Sequence, residues 1–261
     1  MSFRKSLTLS LLLLMLGLLS SACADGGNNL NAQKSAPQKS PAAPAPVANI
    51  DNLLKKQILL TNAAEFTDDR TLEGASGFLI KYNGAILAVT ARHLLGEAGG
   101  VEPEIKIGDL NKSLLKWEMK PRVVTKAAKE TIKLSADGFD YSQSVNDFVL
   151  LKVVSEGFEI EPLTPNFQLP EAGETLFLIG CPYSETKCKQ NSYPVTFVEF
   201  DEAEGALVCE ITSKVALSGF SGAPLVNAKG EAVGVLVSSG PGGGKNYVLA
   251  THIKEMQKIK F

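Results

Sequence analysis

From residue 50 onward the chain alternates short apolar runs with breaks rich in Gly, Pro, Asn and Asp, the pattern of strands joined by tight turns. SGFLIKY (76–82), GAILAVT (84–90), EIKIG (104–108), WEMKPRVVTKA (117–127) and DFVLLKVV (147–154) come first. TLFLIG (175–180), YPVTFVEF (193–200), ALVCEIT (206–212), APLV (223–226), EAVGVLVSS (231–239) and YVLAT (247–251) follow. Helical spacing is rare. IDNLLKKQILL (50–60) fits one helix, and HIKEMQKIKF (252–261) suggests a short terminal one. No repeat of solenoid length occurs. Many strands at such close spacing predict barrels or sandwiches. We read an all-β unit, 50–261, of two small barrels, about 50–165 and 166–261, with QLPEAGETLF (168–177) as a connection between the halves.

The first 49 residues follow a different pattern. Arg4 and Lys5 precede an almost wholly apolar stretch, Leu9 to Leu19, and then the small residues Ser20, Ser21 and Ala22 lead to Cys23. This is the layout of an export signal, and its apolar part is short for a membrane span. The end of the segment resembles a bacterial lipoprotein signal. That resemblance implies cleavage after Ala22, so that residues 1–22 are removed, and a lipid on Cys23. Ser20 stands where such signals prefer Leu, and plain secretion is the other reading. Ala24 after the cysteine implies the outer membrane, facing the periplasm or the cell surface. Residues 24–49 contain no aromatic side chain, and their apolar residues are almost all alanine. Such a segment buries too little to offset its ordering entropy and reads as a tether reaching about 30 Å as a flexible coil.

Removing residues 1–22 takes away two cations and no acid, so the formal charge moves from −2 to −4. No basic patch or basic-aromatic stripe is present, which argues against a nucleic-acid partner. The cysteines are Cys23, Cys181, Cys188 and Cys209. Cys181 and Cys188 bracket PYSETK and are candidates for a short-loop disulfide in an exported protein. Cys209 lies in a strand-like run and reads as a small buried residue, its pairing with another cysteine left open. Two histidines and no C-x-x-C spacing make a metal site an unattractive reading, and no cofactor is implied.

Three places could carry chemistry. In AILAVTARHLLG, His93 follows a strand end; His252, after YVLAT, looks structural. In VNDFVLLKVV, Asp147 opens a buried-looking strand, whereas the competing Asp140 sits in the less regular GFDYSQ. In SGFSGAPLVNAKGEAVGV, Ser221 is flanked by Gly219-Phe220 and Gly222-Ala223-Pro224. Glycines permit left-handed backbone and close approach, which a nucleophile with backbone amides aimed at an oxyanion requires. Each motif alone has a bland reading: a satisfied histidine, a turn aspartate, a glycine-rich hairpin. SGPGGGKN (239–246) hints at a phosphate loop, but Ser239 and Asn246 break that motif and a strand follows, so it reads as a hairpin near the cleft.

Together, VTARH, NDFVLLKV and SGFSGAPLVNAKGEAVGV resemble, in that order, the three signature blocks of the chymotrypsin-like serine peptidases, nearest the bacterial HtrA-like group. The resemblance covers Ser76 to Thr251. It implies two antiparallel barrels of the six-stranded type with the active site between them. It implies Ser221 as nucleophile, His93 as base, Asp147 as its orienting acid, and the amides of Gly219 and Ser221 as the oxyanion hole. Val215 would lie near the base of the pocket for the side chain before the cut bond. Val237, Ser238, Ser239 and Gly240 would pair with substrate backbone. With no acid at Val215, small or medium apolar side chains are the expected preference. Phe220 stands where digestive members carry the Asp that pairs with a newly cut N-terminus, which argues against that mode of activation. Arg92 and Ala223 also depart from the usual residues. The chain stops soon after the serine motif, so the C-terminal peptide-binding module common in the HtrA-like group is expected to be missing. The expected function is an exported, membrane-tethered serine endopeptidase acting on proteins or peptides. A catalytically inactive binding lipoprotein is the alternative, and an esterase a third reading.

Overall fold

A computed structural model describes residues 48–122, 130–142, 146–185 and 189–261. A short helix, α1 (Ala48–Leu54), precedes the first barrel: β1 (Leu60–Phe66), β2 (Thr71–Tyr82), β3 (Ala85–Thr90), β4 (Leu114–Pro121), β5 (Ile132–Ser135) and β6 (Val149–Val153). These close in the order β1-β2-β3-β6-β5-β4. The second barrel contains β7 (Thr175–Gly180), β8 (Asn191–Asp201), β9 (Ala206–Ile211), β10 (Pro224–Val226), β11 (Ala232–Gly242) and β12 (Lys245–His252), closed as β10-β11-β12-β9-β8-β7. All these strand pairs are antiparallel. Closure removes the open sheet edges that invite aggregation. The architecture is the chymotrypsin-like double barrel anticipated from the sequence.

Local sequence explains the hairpins. Asn83 and Gly84 both take positive φ, 48° and 78°, and join β2 to β3 with Tyr82 paired to Ala85. That is the two-residue turn whose twist matches the strands. Gly243 and Gly244, at φ 56° and 79°, do the same between β11 and β12. A β-bulge breaks the register of β1 on β2 between Leu60–Gly77 and Asn62–Gly74. It turns Ser76 toward the second barrel. Asn62 fixes the bulge from inside: its amide donates to the carbonyls of Gly74 and Ser76 and to Thr90 Oγ1, and its oxygen accepts from Trp117 Nε1. Bulges of this kind re-aim residues beside active sites.

The halves are tied in three ways. An extended strap pairs in parallel with both barrels: Leu163 bonds to β2 through Leu79 and Lys81, and Thr164 and Asn166 bond to Ala232. Leu59, just before β1, packs into the apolar cluster of the second barrel. Reciprocally, Ile253, Met256 and Ile259 from the C-terminal turn join an apolar cluster made mostly by the first barrel. Thus the connection reaches back further than 168–177, and its pairing residues lie upstream of that stretch.

Several sequence expectations are corrected. The 50–60 helix ends at Leu54 because Gln190 captures the chain: its Oε1 accepts from the amides of Ile58 and Leu59, and its Nε2 donates to Leu54 O. EIKIG is not a strand. It follows Pro103, Ile105 N bonds to Leu95 O, and Ile107–Asp109 form a 3-10 turn. WEMKPRVVTKA ends as a strand at Pro121, and its residues 123–127 lie outside the described residues. The terminal helix is a 3-10 helix, Ile253–Lys258. β1 and β5 lie outside the strands that the sequence pattern predicts. Among the described residues no helix is long and apolar enough to cross a membrane. Residues 1–47, with Cys23, and Cys188 lie outside the described residues. Cys181 is buried and disulfide-bonded, whereas Cys209 is a buried free thiol whose pKa burial raises to about 12.

Candidate active site

His93 and Asp147 meet because β3 and β6 are neighbours. Thr90, the last residue of β3, pairs with Val149, the first of β6, and the chain continues three residues to His93 and two back to Asp147. His93 sits in a 3-10 turn, Arg92–Leu95, pinned by the buried Leu94 and Leu95. Asp147 Oδ1 accepts from the His93 backbone N–H at 2.8 Å, and Oδ2 accepts from Nδ1 at 2.7 Å. The carboxylate therefore holds both the main chain and the ring. Because a carboxylate only accepts, Nδ1 carries the proton and Nε2 presents a lone pair. Ser221 Oγ lies 2.9 Å from that nitrogen and donates to it. Asp140 plays no part: its carboxylate accepts from Ser142 N, which lowers its pKa.

The nucleophile loop comes from the other barrel. Gly219 and Gly222 have φ of 89° and 85°. A Cβ on Gly222 would overlap the carbonyl of Ser76, so only glycine fits there. Phe220 is fully buried, stacks edge-on against Tyr193 at 5.6 Å, and fills the space that a side chain at Gly180 would need. It anchors the loop in the barrel core and leaves the cleft free.

The peptide groups of the loop are oriented one by one. Ser218 O accepts from Tyr183 N, Phe220 O from Ala223 N, and Ser221 O from Ser76 N. A peptide's N–H points opposite to its carbonyl, so the first two bonds aim the amides of Gly219 and Ser221 outward. Phe220 N, Gly222 N and Ala223 N all have backbone acceptors. Among the described residues, neither the Gly219 nor the Ser221 amide donates to a protein acceptor. Two unspent donors beside a hydroxyl poised on imidazole can stabilise an oxyanion formed there.

Beside the loop lies a cavity of about 260 Å³, lined by Val215, Leu217, Ser239, Gly240, Asn246 and Tyr247 among others, with Lys214 at the surface. Among the described residues no carboxylate lines it. Val215, Ser239 and Gly240 thus share one pocket. Val237 and Ser238 do not line it. Val237 is the extra residue of a β11 bulge between Leu236 and Ser238, and Ser238 is exposed. Past Leu236, β11 pairs only with β12 among the described residues, which leaves its other edge open to an added strand. The Gly-rich run is the β11–β12 hairpin, and Lys245 is paired with Glu210 at 2.7 Å. Ser76, Arg122, Tyr183 and Asn62 support the site without any signal in the sequence.

His252 is structural. Its Nδ1 accepts from Lys254 N at 3.0 Å, and Nε2 donates to Gln168 O at 3.3 Å. The bond from Lys254 N needs the neutral ring, the bond to Gln168 O fixes Nε2 as the protonated nitrogen, and burial pulls the pKa from 6.5 to about 4. Between those values the unfolded chain binds a proton that the folded ring refuses. His252 therefore contributes its full share of stability above pH 6.5 and loses it as the pH falls toward 4, by roughly 3 kcal/mol. Denaturant midpoints of wild type and His252→Gln between pH 4 and 7 check this. The variant should lose that part of the pH slope, and equal slopes would refute the assignment.

The model of the trypsin-like peptidase domain matches residues 75–235. No curated protein matches the sequence significantly. The fold is similar to the active form of the Rv3671c protease from M. tuberculosis, with TM-score 0.52 and 16% identity over 88% of this chain and 92% of that one. It is also similar to Deg5, with TM-score 0.53 and 19% identity over 81% and 91%. A serine endoprotease from Yersinia pestis gives TM-score 0.52 and 16% identity over 83% of this chain and 65% of that one.

Proposed function

Because the chain belongs to the trypsin-like peptidase family and is a serine endopeptidase, we propose that Ser221, His93 and Asp147 are its catalytic triad and that it works as an exported, lipid-tethered enzyme. The observation that carries the triad is the unbroken chain Ser221 Oγ–His93 Nε2, His93 Nδ1–Asp147 Oδ2, beside two unspent amides. Ser221 Oγ attacks the peptide carbonyl while its proton passes to His93 Nε2. The carbonyl oxygen becomes an oxyanion received by the Gly219 and Ser221 amides. Collapse breaks the C–N bond, and His93 gives the proton to the leaving amine. Water, deprotonated by His93, then attacks the Ser221 ester, and the oxygen of Ser221 recovers its proton. Asp147 stays ionised and holds the imidazolium in place.

The pocket at Val215 favours small or medium apolar side chains before the cut bond, since Val215, Leu217 and Tyr247 offer apolar surface and no carboxylate receives a cation. The open edge of β11 at 237–240 takes the substrate backbone.

Export and tethering rest on the sequence of residues 1–23 and on the disulfide at Cys181, which fits an oxidising compartment. The outer membrane is the proposed location. Fluorophosphonate labelling of the purified full chain tests the catalytic part. Wild type should label, and Ser221→Ala and His93→Ala should not; a folded wild type that does not label would favour a non-catalytic binding role. Metabolic labelling with an alkyne fatty acid tests the anchor. The label should reach wild type and be lost in Cys23→Ser, and its absence from wild type would point to plain secretion.

A further inference from the structure

Arg122 closes the end of β4 in the first barrel, yet its side chain reaches the nucleophile loop of the second. Its Nη1 donates to Gly219 O at 2.6 Å and to Ser76 Oγ at 3.1 Å. Ser76 Oγ in turn donates to the same Gly219 carbonyl at 2.7 Å. The guanidinium lies 4.6 Å from the centre of the Tyr183 ring. Tyr183 supplies the backbone N–H that holds Ser218 O, and its hydroxyl accepts from Ala75 N at the bulge. Among the described residues no carboxylate forms an ion pair with Arg122. Half-burial lowers its pKa from the usual arginine value. A partly desolvated cation without an acid partner is costly unless it has another task.

We propose that Arg122 is a positioning residue that locks the oxyanion hole in its working form. This rests on the reading of the site given above. The hole depends on the rotation of the two peptide groups that flank Gly219. The 218–219 peptide is held at its oxygen by Tyr183 N. The 219–220 peptide is held at its oxygen by Arg122 and Ser76, and at its N–H by Leu217 O. Gly219 has no Cβ to restrict it, and its φ of 89° is set by these bonds. Charge assistance makes the Arg122 bond the strongest of the set. The clamp also spans the barrels, so the hole forms when the halves dock. Phe220 fixes the next residue by burial. Cation and apolar anchor together do the work that elsewhere falls to an ion pair with a cut N-terminus, and the site is complete in the uncut chain.

The test uses the purified full chain, with kcat and KM on a peptide and Ki for a peptide aldehyde, whose hemiacetal oxygen occupies the hole. Arg122→Ala should lower kcat about 10- to 100-fold, with KM within about threefold. The aldehyde Ki should rise by a similar factor. Arg122→Gln, which keeps a neutral donor, should fall between wild type and Arg122→Ala. Tyr183→Leu, which removes the stacked ring together with the hydroxyl that accepts from Ala75 N, should shift kcat and the aldehyde Ki in the same direction. If Arg122→Ala does not fold, the Gln and Leu variants decide. Unchanged kcat in folded variants overturns the proposal. So does a loss confined to KM with aldehyde affinity intact, the signature of a substrate contact or of packing alone. A wild type that neither cleaves peptide nor reacts with the probe refutes the catalytic reading; an active wild type with an indifferent Arg122→Ala refutes only this inference.

Discussion

Ser221→Ala is expected to lower kcat/KM on a peptide about a million-fold, the scale seen when a triad nucleophile is removed. The reason is that, among the described residues, Ser221 Oγ is the hydroxyl bonded to His93 Nε2, and the unspent amides belong to Ser221 itself and to Gly219 two residues before it. Stability should barely change, by less than about 1 kcal/mol, because the half-buried side chain makes a single hydrogen bond. Steady-state kinetics beside a denaturation curve separate the two effects. If the variant keeps more than a thousandth of the wild-type rate, the nucleophile lies elsewhere.

Asp147→Asn should cost about ten-thousandfold in kcat while leaving the fold intact. The amide can still accept from the His93 backbone N–H through its oxygen. Its NH2 group, however, faces Nδ1 and donates to it. The ring proton then moves to Nε2, where Ser221 needs a lone pair, and the base is in the wrong tautomer. Asp140→Asn is the control, since that carboxylate caps a local turn and should leave kcat unchanged. Comparable losses in both variants would remove Asp147 from its assigned place.

The parts of this site that the sequence revealed are those written in local signals. His93, Asp147 and Ser221 each adjoin an apolar strand, and their motifs survive without knowledge of the fold. What stayed hidden was carried by long-range pairing. Arg122 is one of several basic residues around Pro121, and Ser76 is a small residue within β2; only a bulge in β2 and the docking of two barrels bring them to Gly219. The end of α1 is hidden in the sequence for the same reason, since Gln190 from the other barrel terminates it. β5 is four residues long and carries too little pattern to be read alone. Phe220 shows the reverse. In the motif it reads only as the loss of an activating Asp, and its burial against Gly180 and Tyr193 makes it an anchor of the loop.

The exchange of end segments between the barrels has a bearing on cooperativity. Ile253, Met256 and Ile259 fill an apolar cluster made mostly by the first barrel, and Leu59 fills that of the second, so each half borrows part of its interior from the other. Separating the barrels would expose apolar surface in both and part Ser221 from His93. The cleft is therefore held shut by the same burial that holds the fold.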